Sequence, residues 1–165
     1  MLKLMGSVCI LAAAAFARVA WIRSIRRELS VLRGLISALG EMESEIRLNR
    51  TPMPRLLKKA GYDRGADVAS FFSRLSRGLA AGEETMRTWT AAAGDLPVAG
   101  RERLELAEVG RNLSGDEEKA CKGILLASDH LSKCLQEKYI QQRESEKRCT
   151  ALCFSGAALL IILLL

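Results

Sequence analysis

Apolar residues recur at steps of three and four through Ile25, Leu29, Leu32, Ile36, Leu39, Met42 and Ile46. That spacing predicts one apolar stripe on a long helix covering residues 23–49, running on from the apolar stretch before it. Gly34 and Gly40 weaken the helix without disturbing its period. The run Arg50-Thr51-Pro52-Met53-Pro54 then stops it: Thr51 is placed to cap, and Pro52 to take the first helical position of a short helix ending at Gly61. After a turn from Gly61 to Gly65, a second stripe (Val68, Phe71, Phe72, Leu75, Leu79) is closed by Ala81-Gly82. Met86, Trp89 and Ala92 or Ala93 mark a shorter helix ending at Gly94, and Leu96-Pro97 marks a turn. Leu104, Leu106, Val109 and Leu113 mark another helix. Ser114-Gly115-Asp116-Glu117 has the form of a capping box opening a last long helix. Its apolar side carries Ala120, Ile124, Ala127, Leu131 and Leu135, and no breaker precedes Gly156.

Every predicted helix has one apolar face, so the faces must close on one another. The expected fold is all-α, an antiparallel bundle of about six helices with N- and C-terminal transmembrane helices flanking it. Strand alternation and internal repeats are lacking in the sequence. The large rings of Tyr62, Phe71, Phe72 and Trp89 are the aromatic core candidates.

The two ends differ from the middle. Leu4 to Ile22 carries no charge except Arg18, and Ala151 to Leu165 carries none. As helices they cover roughly 28 Å and about 23 Å against a hydrocarbon core of about 30 Å. The first is long enough to span; the second is short, and Cys149 and Thr150 extend it. The expected organisation is a transmembrane helix over 1–22, a cytoplasmic bundle over 23–148 and a transmembrane helix over 149–165. Cations set the orientation: Arg18, Arg23, Arg26 and Arg27 flank the first segment, and Lys147 and Arg148 precede the second, which keeps the middle on the cytoplasmic side. Arg18 can snorkel to the headgroups, and Trp21 is an interfacial aromatic. A competing reading takes Lys3, the apolar run and Ala15-Phe16-Ala17 as a cleaved signal peptide, which leaves an exported, tail-anchored helical domain. The arginines that follow oppose that export.

Composition adds little to this picture. The 165 residues carry a net charge of +6, an excess already accounted for by the cations beside the membrane segments, so nucleic acid is not an expected partner. The five cysteines form no C-x-x-C pair, and their odd number argues against a complete disulfide framework.

Candidate chemistry is sparse. Glu41 and Glu45 share a helix face while Glu43 points elsewhere, which reads as a solvated acidic face rather than a catalytic or metal site. His130 with Cys134 and Cys149 with Cys153 would supply zinc ligands, but on one continuous helix the two pairs lie about 28 Å apart. His130 is the only histidine, with only Asp129 as a helix neighbour to orient it. The glycines lack the phosphate-loop spacing. The expectation is therefore a protein that is not an enzyme, with no catalytic residue, metal or cofactor.

Several stretches together resemble the stage III sporulation protein AB family. They are the opening Met1-Leu2-Lys3-Leu4-Met5-Gly6, the helix with Ile36-Ser37-Ala38-Leu39 and Met42-Glu43-Ser44-Glu45-Ile46-Arg47, the turn Thr51-Pro52-Met53-Pro54, the segment from Gly110 to Asp116, Leu126-Ala127, His130-Leu131 and the end from Gly156 to Leu165. The resemblance runs over essentially the whole chain. It implies a membrane component of the secretion-like channel complex between mother cell and forespore. It also implies a soluble domain similar to the type II secretion platform-protein cytoplasmic domain (the F-like domain), to which Phe71-Phe72-Ser73-Arg74-Leu75 and Gly78-Leu79-Ala80-Ala81-Gly82 are loosely similar.

By that resemblance the protein is a scaffold in the outer forespore membrane, with its central domain in the mother-cell cytoplasm. Its expected partners are membrane lipid and other stage III sporulation complex proteins, including a secretion-type ATPase, with a homo-oligomer as a further expectation. A two-anchor membrane sensor is the alternative from another class. The expected partner interface is the charge and rigid turn at the end farthest from the membrane: Glu43, Glu45, Arg47, Arg50, Thr51, Pro52 and Pro54.

Overall fold

The computed structural model describes the backbone over residues 2–49, 51–113 and 117–164, and the side chains from Phe16 to Glu144 apart from Ala17, Arg50 and residues 114–116. Among the described residues there are six helices and no strand: α1 (Leu2–Asn49), α2 (Met53–Ala60), α3 (Ala66–Ala80), α4 (Thr85–Gly94), α5 (Gly100–Leu113) and α6 (Glu117–Leu164).

The helices pack in a closed circuit. α1 lies along α6, α6 against α5, α5 against α4, α4 against α3, and α3 back against α1, with α2 filling the corner between α1 and α3. This enclosure changes the buried face of α1. Leu29, Leu32, Leu39, Met42 and Ile46 are buried as the spacing predicts, but so are Val31, Leu35 and Ala38, while Ile25 and Ile36 are only half-buried. A helix held between α6 on one side and α2 and α3 on the other must bury a wider and rotated arc, which a single stripe does not describe.

The centre is Trp89. Its ring meets Phe71 edge-on at 5.5 Å, and Phe71 meets Phe72 edge-on at 5.0 Å. On the α5 side Trp89 lies against Gly110, where an added Cβ would stand 2.6 Å from Cγ of the indole. Glycine there is a packing requirement, since only a bare Cα lets α5 approach the ring. Burying side chains of this size contributes about 1.5–3 kcal/mol each, which makes the α3–α4–α5 contact a main source of cohesion.

Helix ends follow local chemistry with some departures. Gly82, at φ +78°, ends α3, and the N–H of Glu83 donates to the carbonyl of Gly78 in the wrapped closure that a left-handed residue permits. Pro52 sits at the capping position of α2 rather than inside its first turn, and Thr51 does not cap: its hydroxyl donates to Glu45 Oε2 at 2.7 Å. The capping box falls on residues 114–116, outside the described residues, and α6 begins at Glu117.

Three expected core residues are exposed. Tyr62 is 82 % accessible because it leaves α2 in a turn whose next residue, Asp63, adopts φ +54°. Leu104 and Met86 also face outward, since the inward arc of α5 is set by Leu106, Val109 and Leu113 and that of α4 by Trp89, Ala92 and Ala93.

α6 is one uninterrupted helix to Leu164, and α1 one helix from Leu2, each roughly 70 Å long. Among the described residues no helix is long and apolar enough to cross a membrane. The side chains of most of the segment 1–22 and of all of 149–165, expected as transmembrane helices, lie outside the described residues.

Candidate partner-binding site

The corner between α1 and α2 gathers most of the residues singled out in the sequence. One helical turn separates Glu41 from Glu45, so both carboxylates face the same way, and α2 returns alongside them with Lys59. The Lys59 ammonium lies 3.6 Å from Glu41 and hydrogen-bonds Glu45, and Arg64 donates to Glu41 Oε2 at 2.7 Å. Arg64 also donates to the carbonyl of Ala60, closing the end of α2. The acidic face is therefore not a solvated one: it clamps α2 to α1. Hydrogen bonds from Lys59, Thr51 and Asn49 hold the carboxyl of Glu45 down at about 2. Glu45 and Thr51 are thus committed to an internal network.

Glu43 points away from that network, as the helical spacing predicts. It pairs with Arg47 at 3.6 Å, and the two form one wall of a groove of about 540 Å³ between α1 and the start of α6. Glu117, Glu118 and Lys122 supply charge on the other wall, with the half-buried Cys121 and the exposed Leu125 as its less polar lining. Burial, with Glu43 and Glu117 nearby, pushes the Cys121 thiol up, the opposite of what a nucleophile needs. Polar rims around one apolar patch suit docking rather than bond-making chemistry. Pro52 and Pro54 are exposed at the adjoining turn, and Arg50 lies outside the described residues.

The structure therefore brings Glu43, Arg47, Pro52 and Pro54 to one accessible end of the bundle and withdraws Glu45 and Thr51 from it. The contribution of Glu117, Glu118 and Lys122 was not foreseen. They stand far along the chain, and only the side-by-side packing of α1 and α6 brings them there.

At the opposite end, Arg18, Trp21, Arg23 and Arg26 are exposed along α1, while Arg27 forms a bidentate pair with Asp67 at 2.6 and 2.8 Å. The side chains of Lys147 and Arg148 lie outside the described residues. Here the bundle contains an ion cluster that the sequence reading missed. Lys138 of α6 donates to Glu28 Oε1 of α1 at 2.6 Å and lies 3.0 Å from Glu102 Oε1 of α5. Glu28 also accepts the N–H of Ala99 at 3.1 Å. Burial disfavours the ammonium most strongly, but the hydrogen bonds to Glu28 and Glu102 outweigh it and raise the pKa of Lys138. A signal existed: Glu102 falls at the inward spacing of Leu106 and Val109.

His130 is oriented after all, by Glu105 Oε2 of α5 at 2.9 Å from its Nδ1. Among the described residues no group of three or more potential metal ligands converges.

Comparison with known proteins places this geometry. A family model described as "Stage III sporulation protein AB" matches residues 3–165. A solved structure described as "Stage III sporulation protein AB (SpoIIIAB)" superposes with a TM-score of 0.66 at 23 % identity, covering 72 % of this chain and 98 % of that one. At that identity the likeness is one of fold. No curated protein matches.

Proposed function

The chain belongs to the stage III sporulation protein AB family, and from that premise we propose that it is a non-catalytic platform subunit of a secretion-like channel complex needed for endospore formation. In this reading the apolar ends of α1 and α6 are transmembrane helices in the outer forespore membrane, and the bundle lies in the mother-cell cytoplasm. The bundle would couple a secretion-type ATPase to the membrane subunits. Self-association of the platform belongs to the same proposal.

One observation carries the reading: the two long helices are tied side by side by the Glu28–Lys138 bond at the end where both run on toward their apolar termini. The accessible charged corner of Glu43, Arg47, Pro52 and Pro54 lies at the other end. From Ile22 to Glu43 is roughly 30 Å of helix, enough to hold a docking surface clear of the headgroups.

The test is a photo-cross-linking amino acid at Pro54 or Glu43 in sporulating cells, with identification of the captured protein. Recovery of the ATPase is expected. Full membrane retention of the protein without any ATPase adduct at either position would remove the coupling role. Protease protection of the bundle in sealed spheroplasts tests its placement separately.

A further inference from the structure

A pocket of about 280 Å³ lies between α1 and α6 beside the Lys138 cluster, lined by Trp21, Ile25, Glu28, Lys138, Gln141 and Gln142. Trp21, Ile25 and Glu28 follow one another at steps of four and three on α1, and Gln141 and Gln142 stand one turn beyond Lys138 on α6, so one face of each helix lines it. Its apolar side is open: Trp21 is 55 % exposed and Ile25 half-buried. By the same helical spacing Arg23 and Arg26 fall on the far side of α1, and Arg143 on the far side of α6.

The charge beside this pocket is unbalanced. Lys138 serves both Glu28 and Glu102, one cation to two carboxylates. Elsewhere among the described residues, Lys59 and Arg64 match Glu41 and Glu45, and the pairs of Arg27, Arg74, Arg101 and Lys133 are one to one. Both bonds of Glu28, from the N–H of Ala99 and from Lys138, fall on its Oε1. Its Oε2 takes no bond and is not buried, whereas Oε2 of Glu102 is buried without a partner. One further cation brings the cluster to neutrality.

Height along the two helices identifies the source of that cation. The same distance, roughly 15 Å of helix, separates Glu28 from Arg18 on α1 and Lys138 from Arg148 on α6. Since Glu28 and Lys138 are hydrogen-bonded, the two arginine positions are level, and the residues beyond them toward the termini carry no charge except Lys3. In the membrane reading the hydrocarbon boundary common to both helices lies at these arginines, and the headgroup layer outside it is about 5–7 Å deep. Trp21 stands in that layer and Glu28 above it. Lipid ammonium groups stay within the layer, whereas the basic residues flanking transmembrane helices on the cytoplasmic side extend well past it.

We propose that this pocket receives a lysine or arginine flanking a transmembrane helix of a partner protein, its aliphatic stem against Trp21 and Ile25 and its charge against Glu28 Oε2. The positive-inside rule supplies such a residue at this height on a membrane subunit inserted the same way, and an arginine also stacks on the indole. A second copy of this chain does not fit. Membrane insertion keeps two copies parallel, so a two-fold contact faces pocket with pocket, while the arginines of similar height, Arg23 and Arg26, lie on the opposite side of α1. The inference deepens the platform reading and rests on its membrane placement.

The test places the donor-labelled full chain in phosphatidylcholine vesicles with an acceptor-labelled single-span leucine helix and reads energy transfer. One version of the peptide is flanked at one end by arginines, the other by glutamines. Transfer is expected from the arginine peptide, with Trp21→Ala and Glu28→Gln each weakening association about three- to tenfold. Arg26→Gln, on the far side of α1, is the unchanged control, and circular dichroism checks that Trp21→Ala, at an exposed position, keeps the fold. Equal transfer from the two peptides, or transfer indifferent to Glu28→Gln or to Trp21→Ala, overturns the proposal. Loss of transfer when phosphatidylethanolamine replaces phosphatidylcholine assigns the pocket to a lipid ammonium and overturns it as well. Flotation of the same vesicles tests the anchors separately. A chain that floats yet shows no transfer refutes the pocket alone, and a chain that does not float refutes the membrane placement and the pocket together.

Discussion

The ammonium of Lys138 stands 3.0 Å from the carboxylate of Glu102, a residue 2 % exposed, so α6 and α5 are joined by a charge pair whose carboxylate is buried and whose half-buried ammonium reaches it from the edge of the bundle. Glu28 extends the pair to α1, and Glu102 Oε2 has no hydrogen-bond partner. One cation thus serves two carboxylates where three helices meet. Such a cluster holds elements in register more than it adds net stability, because each charge loses its hydration on burial.

Lys138→Met is therefore expected to destabilise the protein by about 3 kcal/mol, since it strands Glu102 without a counter-charge. Adding Glu102→Gln should recover part of that loss, and the non-additivity is read from a double-mutant cycle by urea denaturation followed by circular dichroism. Additive losses would mean that the two groups do not interact.

The raised pKa of Lys138 and the lowered pKa of Glu45 act at opposite ends of the pH scale. The contribution of Lys138 is fully present below the ordinary lysine pKa and is lost as pH rises through its raised value. That of Glu45 is present above the ordinary carboxylate range and disappears as pH falls toward about 2. Asp67, lowered by its hydrogen bonds to Arg27, acts in the same direction as Glu45. The melting temperature should accordingly fall in acid below about pH 4.5, and Glu45→Gln should flatten that decline while leaving the alkaline limb unchanged.

Gly110→Ala places a methyl 2.6 Å from the Trp89 ring, which is locked between α3 and α5. A loss of about 1–3 kcal/mol is expected, together with a changed near-ultraviolet signal from Trp89. Gly40→Ala, at an exposed position where an added Cβ meets nothing within 4 Å, should be neutral or stabilising. Equal effects at the two glycines would contradict the packing described.

Tyr62→Ala should change stability by less than about 0.5 kcal/mol, whereas Phe72→Ala should cost about 3–5 kcal/mol. Thermal melts of the two variants check this contrast. It separates two aromatic residues that the sequence presents as equivalent core candidates.

Periodicity made the six helices and most of their inward residues legible in advance. The spacing of Val68, Phe71, Phe72 and Leu75 identifies α3 because a helix brings each residue back to the same face after three or four steps. Glycine and proline marked the turns for the same local reason: φ limits act within one or two residues. Tyr62 escaped that logic because its direction depends on the left-handed turn at Asp63. Leu104 was misread because Glu102, a charged residue, occupies an inward position on its helix.

The order of the helices, the apolar ends and the scarcity of candidate catalytic groups were all determined by the sequence alone, since each depends on properties that neighbouring residues carry with them, whereas the unbroken course of α6 to Leu164 was shown by the fold. Tertiary structure decided which charges meet. Lys138 finds Glu28 110 residues away, and Lys59 and Arg64 consume the acidic face of α1. Ion pairing is set by distances of a few ångströms between side chains on different helices, and those distances exist only once the faces have closed.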